Sequence, residues 1–156
     1  MKLIIRKASA LWESGSKGGT RIVSTESGIL NQAHCWSGIS GKTTSAIDPL
    51  ELIAAAYAGS FSLALADELR SASSLSSKVA TTATVTLEHL AAGWTMTNVH
   101  LNVLANLPEM KQKEFIDATV RAETHCLVSR LFGATISMNV KLEPRDAGSN
   151  PQVAPP

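Results

Sequence analysis

A long apolar segment, Pro49–Leu69, constrains the fold of this chain more than any other part of the sequence. Asp48 precedes its leading proline, and this pair is a typical helix start, because the carboxylate can cap the first turn and proline needs no hydrogen-bond partner there. Within 53–66 only Ser60 and Ser62 interrupt the apolar residues. No face is then suited to water, so the segment predicts a central helix that is buried on all sides.

The apolar run inside this helix is shorter than a membrane span. It covers residues 53–66, whereas a transmembrane helix needs about 20 apolar residues. The N-terminal residues also carry too short an apolar run for a signal peptide or an anchor. We therefore expect burial by protein rather than lipid, no membrane partner, and a cytoplasmic location. A hydroxyl such as that of Ser60 must find a hydrogen-bond partner in so apolar a setting.

The composition bounds the function without naming it. The chain has 156 residues, enough for one domain with a real core, and a formal net charge of +1. The absence of a run of lysine or arginine argues against nucleic acid as the main partner. Two cysteines, Cys35 and Cys126, occur without a CxxC pair, which predicts neither a disulfide scaffold nor a zinc knuckle. No cofactor is indicated.

Hydrophobic periodicity predicts two helices and six strands. The second helix is expected from Pro108 to about His125, with Phe115, Ala118, Thr119 and Ala122 recurring on one face. A short helical turn is expected at 127–132. The predicted strands cover residues 2–13, 20–25, 29–36, 78–89, 94–107 and 134–142.

The order of these elements predicts an α+β fold with mainly antiparallel sheets. Residues 1–142 are expected to form a single domain. Residues 143–156 hold four of the six prolines, which predicts a disordered tail. The segment 37–48 is rich in glycine, serine and threonine and is long for a loop, which favours a functional role.

Four segments in order along the chain resemble the OsmC/Ohr family of osmotically inducible and organic-hydroperoxide-resistance proteins. They are VSTESGILNQ at 23–32, the central helix at 48–69, the strand pair at 81–101, and HCLVSRLF at 125–132. The STESG stretch and the Trp12-Glu13 pair resemble the OsmC branch more closely. The resemblance implies an intertwined homodimer with two long helices buried back to back. Active members of the family are thiol peroxidases that reduce organic hydroperoxides, so the resemblance also implies this activity, with active sites at the subunit interface.

The catalytic residues of that family are only partly present. Cys126 matches the resolving cysteine and Glu51 matches a glutamate of the family. Ser60 stands at the position of the peroxidatic cysteine, and Ser40 at that of the arginine of the OsmC branch. Because both the cysteine and its activating arginine are replaced, the pattern favours natural divergence over a designed exchange of the cysteine alone.

This replacement changes the chemistry that the resemblance implies. Peroxide reduction needs a thiolate, and a serine hydroxyl has no sulfenic state. We therefore expect a protein of the organic-hydroperoxide and oxidative-stress class in which the two-cysteine mechanism is lost or altered. Cys126 would be the thiol, Glu51 an orienting carboxylate and Ser60 a hydroxyl at the pocket. The expected partners are an organic hydroperoxide or another hydrophobic small molecule, and a dithiol reductant.

Further residues are expected to line the substrate pocket, and some alternatives stay open. The lining residues are Ser40, Trp36, Tyr57 and Phe61. The alternative function is a dimer that binds a hydrophobic ligand without catalysis. Ser60 could instead be a small residue at a helix contact, and Cys126 a buried apolar side chain. Cys35 could pair with Cys126. A zinc site from His34-Cys35 and His125-Cys126 is disfavoured, because adjacent strand residues point to opposite faces.

Overall fold

A computed structural model describes residues 3–13, 20–35, 46–71, 78–107 and 110–143. The chain divides into two compact units, Met1–Leu52 and Ile53–Pro156, and each is described by itself. The predicted loop at 37–48 and the predicted tail at 143–156 lie largely outside the described residues.

The N-terminal unit holds a three-stranded antiparallel sheet. Its strands are β1 (Ala8–Glu13), β2 (Thr20–Thr25) and β3 (Ala33–His34), in the order β1-β2-β3. The first strand is shorter than predicted, and the third has two residues instead of eight. Gln32 accounts for the second difference, because its positive φ of 48° turns the chain inside the segment where a strand was expected.

The central helix α1 runs from Pro49 to Ser71 and begins as predicted. The backbone N–H of Leu50 donates to the Asp48 carboxylate at 2.8 Å, which caps the first turn. With 23 residues, α1 is longer than the apolar run alone suggested. By length and composition it could cross a membrane, a test that the core helix of a soluble protein also passes. The length of the whole helix, rather than that of its uninterrupted apolar run, therefore decides whether it could span.

The described side chains of α1 show two different faces. Tyr57, Phe61, Leu65 and Leu69 recur every four residues and are buried in the core. The opposite face is exposed, and Leu63 keeps 72% of its surface accessible. The prediction of a helix buried on all sides is therefore wrong for the single chain. We call this opposite face the exposed stripe of α1; its members are Ala55, Ala56, Gly59, Leu63 and Ala66.

The second unit contains another three-stranded sheet. Its strands are β4 (Lys78–Leu90), β5 (Gly93–Asn106) and β6 (Thr135–Leu142), in the order β4-β5-β6. β4 and β5 form an antiparallel hairpin that turns at Gly93, whose φ is 102°. β5 and β6 are parallel. The central strand β5 contributes the most deeply buried sheet residues to the core, namely Val99, Leu101, Val103 and Ala105.

The helix α2 (Gln112–His125) lies in the connection between β5 and β6, since parallel neighbours need a crossover. It starts at Gln112 rather than at Pro108, which lies outside the described residues. Its predicted buried face is confirmed: Phe115, Ala118, Thr119 and Ala122 are all buried. The segment after it forms hydrogen-bonded turns at 127–131 instead of the expected helical turn. Together these elements form the expected α+β fold.

Candidate functional site around the Cys126 thiol

Cys126 lies directly after the last residue of α2 and is fully buried. Its backbone N–H donates to the carbonyl of Glu123 at 3.1 Å, which closes the final turn of the helix. The backbone at Cys126 is extended, with φ −63° and ψ 120°, so the chain leaves the helix at this residue. The thiol is thereby fixed at a helix end, beside the turns that lead to β6.

The Ser60 hydroxyl is the hydrogen-bond partner of this thiol. The Cys126 Sγ donates to the Ser60 Oγ at 3.5 Å. Ser60 is half-buried on α1, next to the buried residue Phe61. The structure thus brings together two residues that lie 66 positions apart in sequence. The expectation that the hydroxyl of Ser60 finds a partner is confirmed, and that partner is the thiol.

A second pair of hydroxyl groups adjoins this contact. The Tyr57 hydroxyl donates to the Ser129 Oγ at 2.7 Å, an ordinary length for a bond between two hydroxyl groups. Tyr57 is fully buried among apolar side chains, so its phenol needs a partner inside the protein. Ser129 follows Cys126 by three residues, and the turns at 127–131 bring it back toward the thiol.

These neighbours shift the pKa of two groups in opposite directions. Burial opposes ionisation of the Cys126 thiol, but hydrogen bonds with the Ser129 and Ser60 side chains and with the backbone at Ser129 and Val128 outweigh it. The pKa of Cys126 is therefore lowered from its ordinary value. Burial raises the pKa of Tyr57 against the opposing effect of its bond to Ser129. At neutral pH the phenol stays protonated, while the thiolate becomes easier to form.

The remaining predicted site residues do not all join this cluster. Phe61 is fully buried in the core of the second unit. Glu51 lies in the first turn of α1, is exposed and belongs to the N-terminal unit. Trp36 and Ser40 lie outside the described residues.

The structure bears on two alternatives, a Cys35–Cys126 pair and a zinc site. Cys35 and Cys126 are both free thiols, and Cys35 belongs to the N-terminal unit. Its backbone N–H donates to the carbonyl of Arg21 at 2.9 Å. Among the described residues, no group of three or more histidine, cysteine or acidic side chains could hold a metal ion.

Two features of the site were missed from the sequence. Ser129 belongs to the segment at 125–132 that carries the family resemblance, and its position three residues after Cys126 was the available signal. The second feature is an ion cluster in which the Glu68 carboxylate accepts from Arg121 Nε at 2.7 Å and contacts His125 Nδ1 at 3.1 Å. It links α1 to α2 at the surface, next to Cys126 in sequence.

Comparisons with known proteins identify relatives for most of the chain. The family model described as OsmC-like protein matches residues 41–141. The peroxiredoxin OsmC of Escherichia coli K12 is 34% identical over 140 residues, which cover 90% of this chain and 98% of that protein. The peroxiredoxin OsmC of Shigella flexneri matches to the same extent.

Solved structures agree on the fold. An OsmC-like protein of unknown function from Vibrio cholerae superposes with a TM-score of 0.74 at 13% identity, covering 89% of this chain and 100% of that one. An organic hydroperoxide resistance protein from Elizabethkingia anophelis gives a TM-score of 0.68 at 21% identity, covering 92% and 99%. With the family match and the 34% identity to the E. coli protein, these comparisons show that the chain belongs to the OsmC family.

Proposed function

We propose that this protein reduces organic hydroperoxides with Cys126 as the reacting thiol, a one-cysteine variant of the chemistry of its family. The observation that carries the proposal is the contact between the Cys126 Sγ and the Ser60 Oγ at 3.5 Å. In the family resemblance Ser60 occupies the position of the peroxidatic cysteine. The Cys126 thiol therefore contacts the position at which the family carries its reacting sulfur. The lowered pKa of Cys126 supports the same assignment, because the thiolate is the nucleophile.

The proposed reaction has two stages. The Cys126 thiolate attacks the distal oxygen of the hydroperoxide, the O–O bond breaks, and the alkoxide leaves and takes a proton from water. Cys126 becomes a sulfenic acid, and the peroxide gains two electrons. A dithiol then attacks the sulfenic sulfur, releasing water and forming a mixed disulfide, which its second thiol resolves to free Cys126 and an oxidised dithiol.

Ser60 takes a new part in this scheme. Its oxygen accepts from the neutral thiol, and after deprotonation its hydrogen can donate to the thiolate instead. A hydrogen bond to a charged group is worth roughly 1.5–3 kcal/mol, which favours the ionised form. Glu51 is retained as a proposed orienting carboxylate. Trp36, Ser40, Tyr57 and Phe61 are retained as proposed lining residues, with Tyr57 and Phe61 as the apolar wall beside the thiol.

The exposed stripe of α1 supports a homodimer as the working form. Leu63 is 72% exposed, and its neighbours on this face are alanine and glycine, which allow a second helix to approach closely. A second copy of α1 would cover the stripe and so bury the helix from both sides, as the sequence led us to expect. The proposed location is the cytoplasm, and neither nucleic acid nor a membrane is among the proposed partners.

One observation favours the alternative function, a dimer that binds a hydrophobic ligand without catalysis. The Cys126 side chain has no exposed surface in the single chain, and a substrate must reach the sulfur to react. Peroxide reduction therefore requires an opening toward the thiol, whereas ligand binding at another apolar surface does not.

A peroxide-consumption assay separates the two functions. The reduced protein is mixed with cumene hydroperoxide or tert-butyl hydroperoxide and a dithiol, and peroxide loss is followed. We expect turnover that falls to the uncatalysed rate in Cys126→Ala and is retained in the matched variant Cys35→Ala. No turnover in the natural protein, together with turnover in a Ser60→Cys, Ser40→Arg variant, would refute the enzymatic proposal and leave the binding role.

A further inference from the structure

The Cys126 thiol lies between the end of α2 and the helix α1. Its side chain is fully buried, and its sulfur donates to the Ser60 hydroxyl on α1 at 3.5 Å. The sulfur therefore points from the end of α2 toward α1. A hydroperoxide or a thiol reagent can reach it only after one of these two elements has moved, and the more weakly held element moves first.

The last turn of α2 contributes little to the hydrophobic core. Ala122 is the last buried residue of the helix, and residues 123–125 are exposed or half-buried. Cys126 is the next buried side chain, and Leu127 after it is 68% exposed. Segments with so few buried contacts open locally at a low cost in free energy. Fraying of this one turn would uncover the thiol and leave the rest of the core closed.

The ion cluster at the surface ties this turn to α1. The Glu68 carboxylate accepts from Arg121 Nε at 2.7 Å through one oxygen, and His125 Nδ1 lies 3.1 Å from the other. His125 is the last residue of α2 and directly precedes Cys126. Glu68 lies about two helical turns beyond Ser60 on α1. Its side chain is 20% exposed, whereas those of Arg121 and His125 are 54% and 68% exposed.

We propose that the Glu68 clasp, formed by Glu68, Arg121 and His125, controls access to the Cys126 thiol by holding the last turn of α2 against α1. With the clasp closed, the sulfur lies against Ser60. Its contacts are partly exposed to water and are easily exchanged for contacts with water, so opening does not require unfolding of the core. The inference deepens the proposed function and rests on it, since it supplies the opening that peroxide reduction at a buried thiol requires.

The test measures how fast iodoacetamide labels Cys126, by intact mass, in a Cys35→Ala background so that Cys126 is the remaining thiol. When the turn recloses faster than the reagent reacts, the rate follows the population of the open form. Glu68→Gln removes the charge at the centre of the clasp and should speed labelling about threefold. Arg121→Ala and His125→Ala each leave one contact in place and should have smaller effects.

Two control variants separate opening of the last turn from a general loss of stability. Arg70→Gln breaks an ion pair of similar length, 2.8 Å to Asp67, but that pair lies within α1, so labelling should not change. Leu65→Ala opens a cavity on the buried face of α1 and should lower the melting temperature more than Glu68→Gln does. Its labelling rate should stay close to that of the parent.

Equal labelling rates in the parent and in Glu68→Gln would overturn the inference, as would faster labelling in Leu65→Ala than in Glu68→Gln. Urea provides an independent measurement. Labelling through a frayed turn exposes little surface and should rise weakly with urea, whereas a steep rise in the parent would show that the thiol is reached by global unfolding and would refute the clasp.

The labelling uses no peroxide, so the clasp and the proposed function can fail separately. A protein without peroxide turnover in which Glu68→Gln still speeds labelling would refute the proposed function and support the clasp. Peroxide turnover with unchanged labelling in Glu68→Gln would refute the clasp and leave the proposed function in place.

Discussion

At 3.5 Å, the Ser60 oxygen and the Cys126 sulfur are close enough that a small rotation of either side chain changes what they can do together. A disulfide joins two sulfur atoms at about 2.05 Å, and a change of rotamer can supply such a difference. The proximity of Ser60 to the thiol leads us to expect that a cysteine at this position can form a cross-link that the serine oxygen cannot. Replacing the single oxygen atom of Ser60 with sulfur would change a hydrogen-bonded pair into two cysteines that can form a disulfide.

Ser60→Cys is predicted to form a disulfide with Cys126 on mild oxidation. Peptide mapping and intact mass should show one new bridge and the loss of two hydrogens. Closing a loop across 66 residues should stabilise the oxidised variant by about 4 kcal/mol over its reduced form, as measured by denaturant unfolding.

Ser62→Cys is the matched control for this prediction. The Ser62 hydroxyl donates to the Thr81 hydroxyl at 3.0 Å and so faces the sheet. It should give no bridge to Cys126. Failure of Ser60→Cys to cross-link, or equal cross-linking from position 62, would contradict the side-chain geometry described for α1.

At the scale of elements, α2 both fills the core and covers the edge of a sheet. The Gln112 side chain donates from Nε2 to the carbonyl of Val140 at 3.1 Å and accepts from the N–H of Leu142 at 3.1 Å. In this way its amide mimics a short piece of neighbouring strand along β6. Such pairing protects a free strand edge from association with other chains.

Gln112→Ala is predicted to destabilise the protein by about 1 kcal/mol, because two partly solvated hydrogen bonds are lost. Gln112→Glu should cost a similar amount, since the carboxylate cannot donate to Val140. Urea unfolding measures both, and Lys113→Ala, exposed on the same helix, should stay within about 0.5 kcal/mol of the parent. Equal stability of all variants would show that the edge contact contributes nothing.

The second contact between elements is electrostatic and depends on pH. Hydrogen bonding from Arg121 is the largest cause that lowers the pKa of Glu68, with His125 acting in the same sense. A carboxylate with a lowered folded pKa adds stability above its unfolded pKa and loses that stability as pH falls through the folded value. The link between α1 and α2 should therefore weaken in acid.

Glu68→Gln is predicted to lower the melting temperature at neutral pH, because the ion pair with Arg121 is lost. The difference from the parent should shrink as pH falls below the ordinary glutamate range and vanish below the folded pKa. Thermal melts at a series of pH values measure this. Glu88→Gln, an exposed position on β4, should show no such convergence, and a pH-independent difference at Glu68 would contradict the electrostatic cause.

Features that depend on neighbouring residues were predicted correctly, whereas contacts between residues far apart in sequence were not. The start of α1 was predicted correctly because Asp48 and proline act within one turn, and the buried face of α2 because its period repeats along one helix. The parallel pairing of β6 could not be predicted from the sequence, because a strand shows the same alternation of apolar and polar residues in either direction. Ser129 was missed because its contact with Tyr57 spans 72 residues, and no local pattern encodes such a pair.

At the scale of the whole molecule, the exposed stripe of α1 is the feature that a single chain leaves unexplained. The apolar pattern predicted burial on all sides, which the single chain does not show, because such a pattern does not distinguish packing within one chain from packing between two. The family assignment rests on the match over residues 41–141, which includes this helix.

Leu63→Glu is predicted to give a folded protein with the mass of one chain, where the parent has the mass of two. A charge at this position is tolerated by the single chain because the side chain is already exposed, but it would be buried without a partner between two helices. Light scattering measures the mass and circular dichroism the fold. Lys113→Glu should leave the mass of two chains, and a parent of one-chain mass would refute the homodimer.

The crossover from β5 through α2 to β6 also bears on the stage of folding at which the pKa of the Cys126 thiol is lowered. A parallel pair is completed only after the whole connection has been made and docked, so we expect its closure late in folding. Ser129 lies in that connection, and Ser60 lies 66 residues before Cys126. We therefore expect the Cys126 thiol to ionise more easily in the folded chain than in the unfolded one.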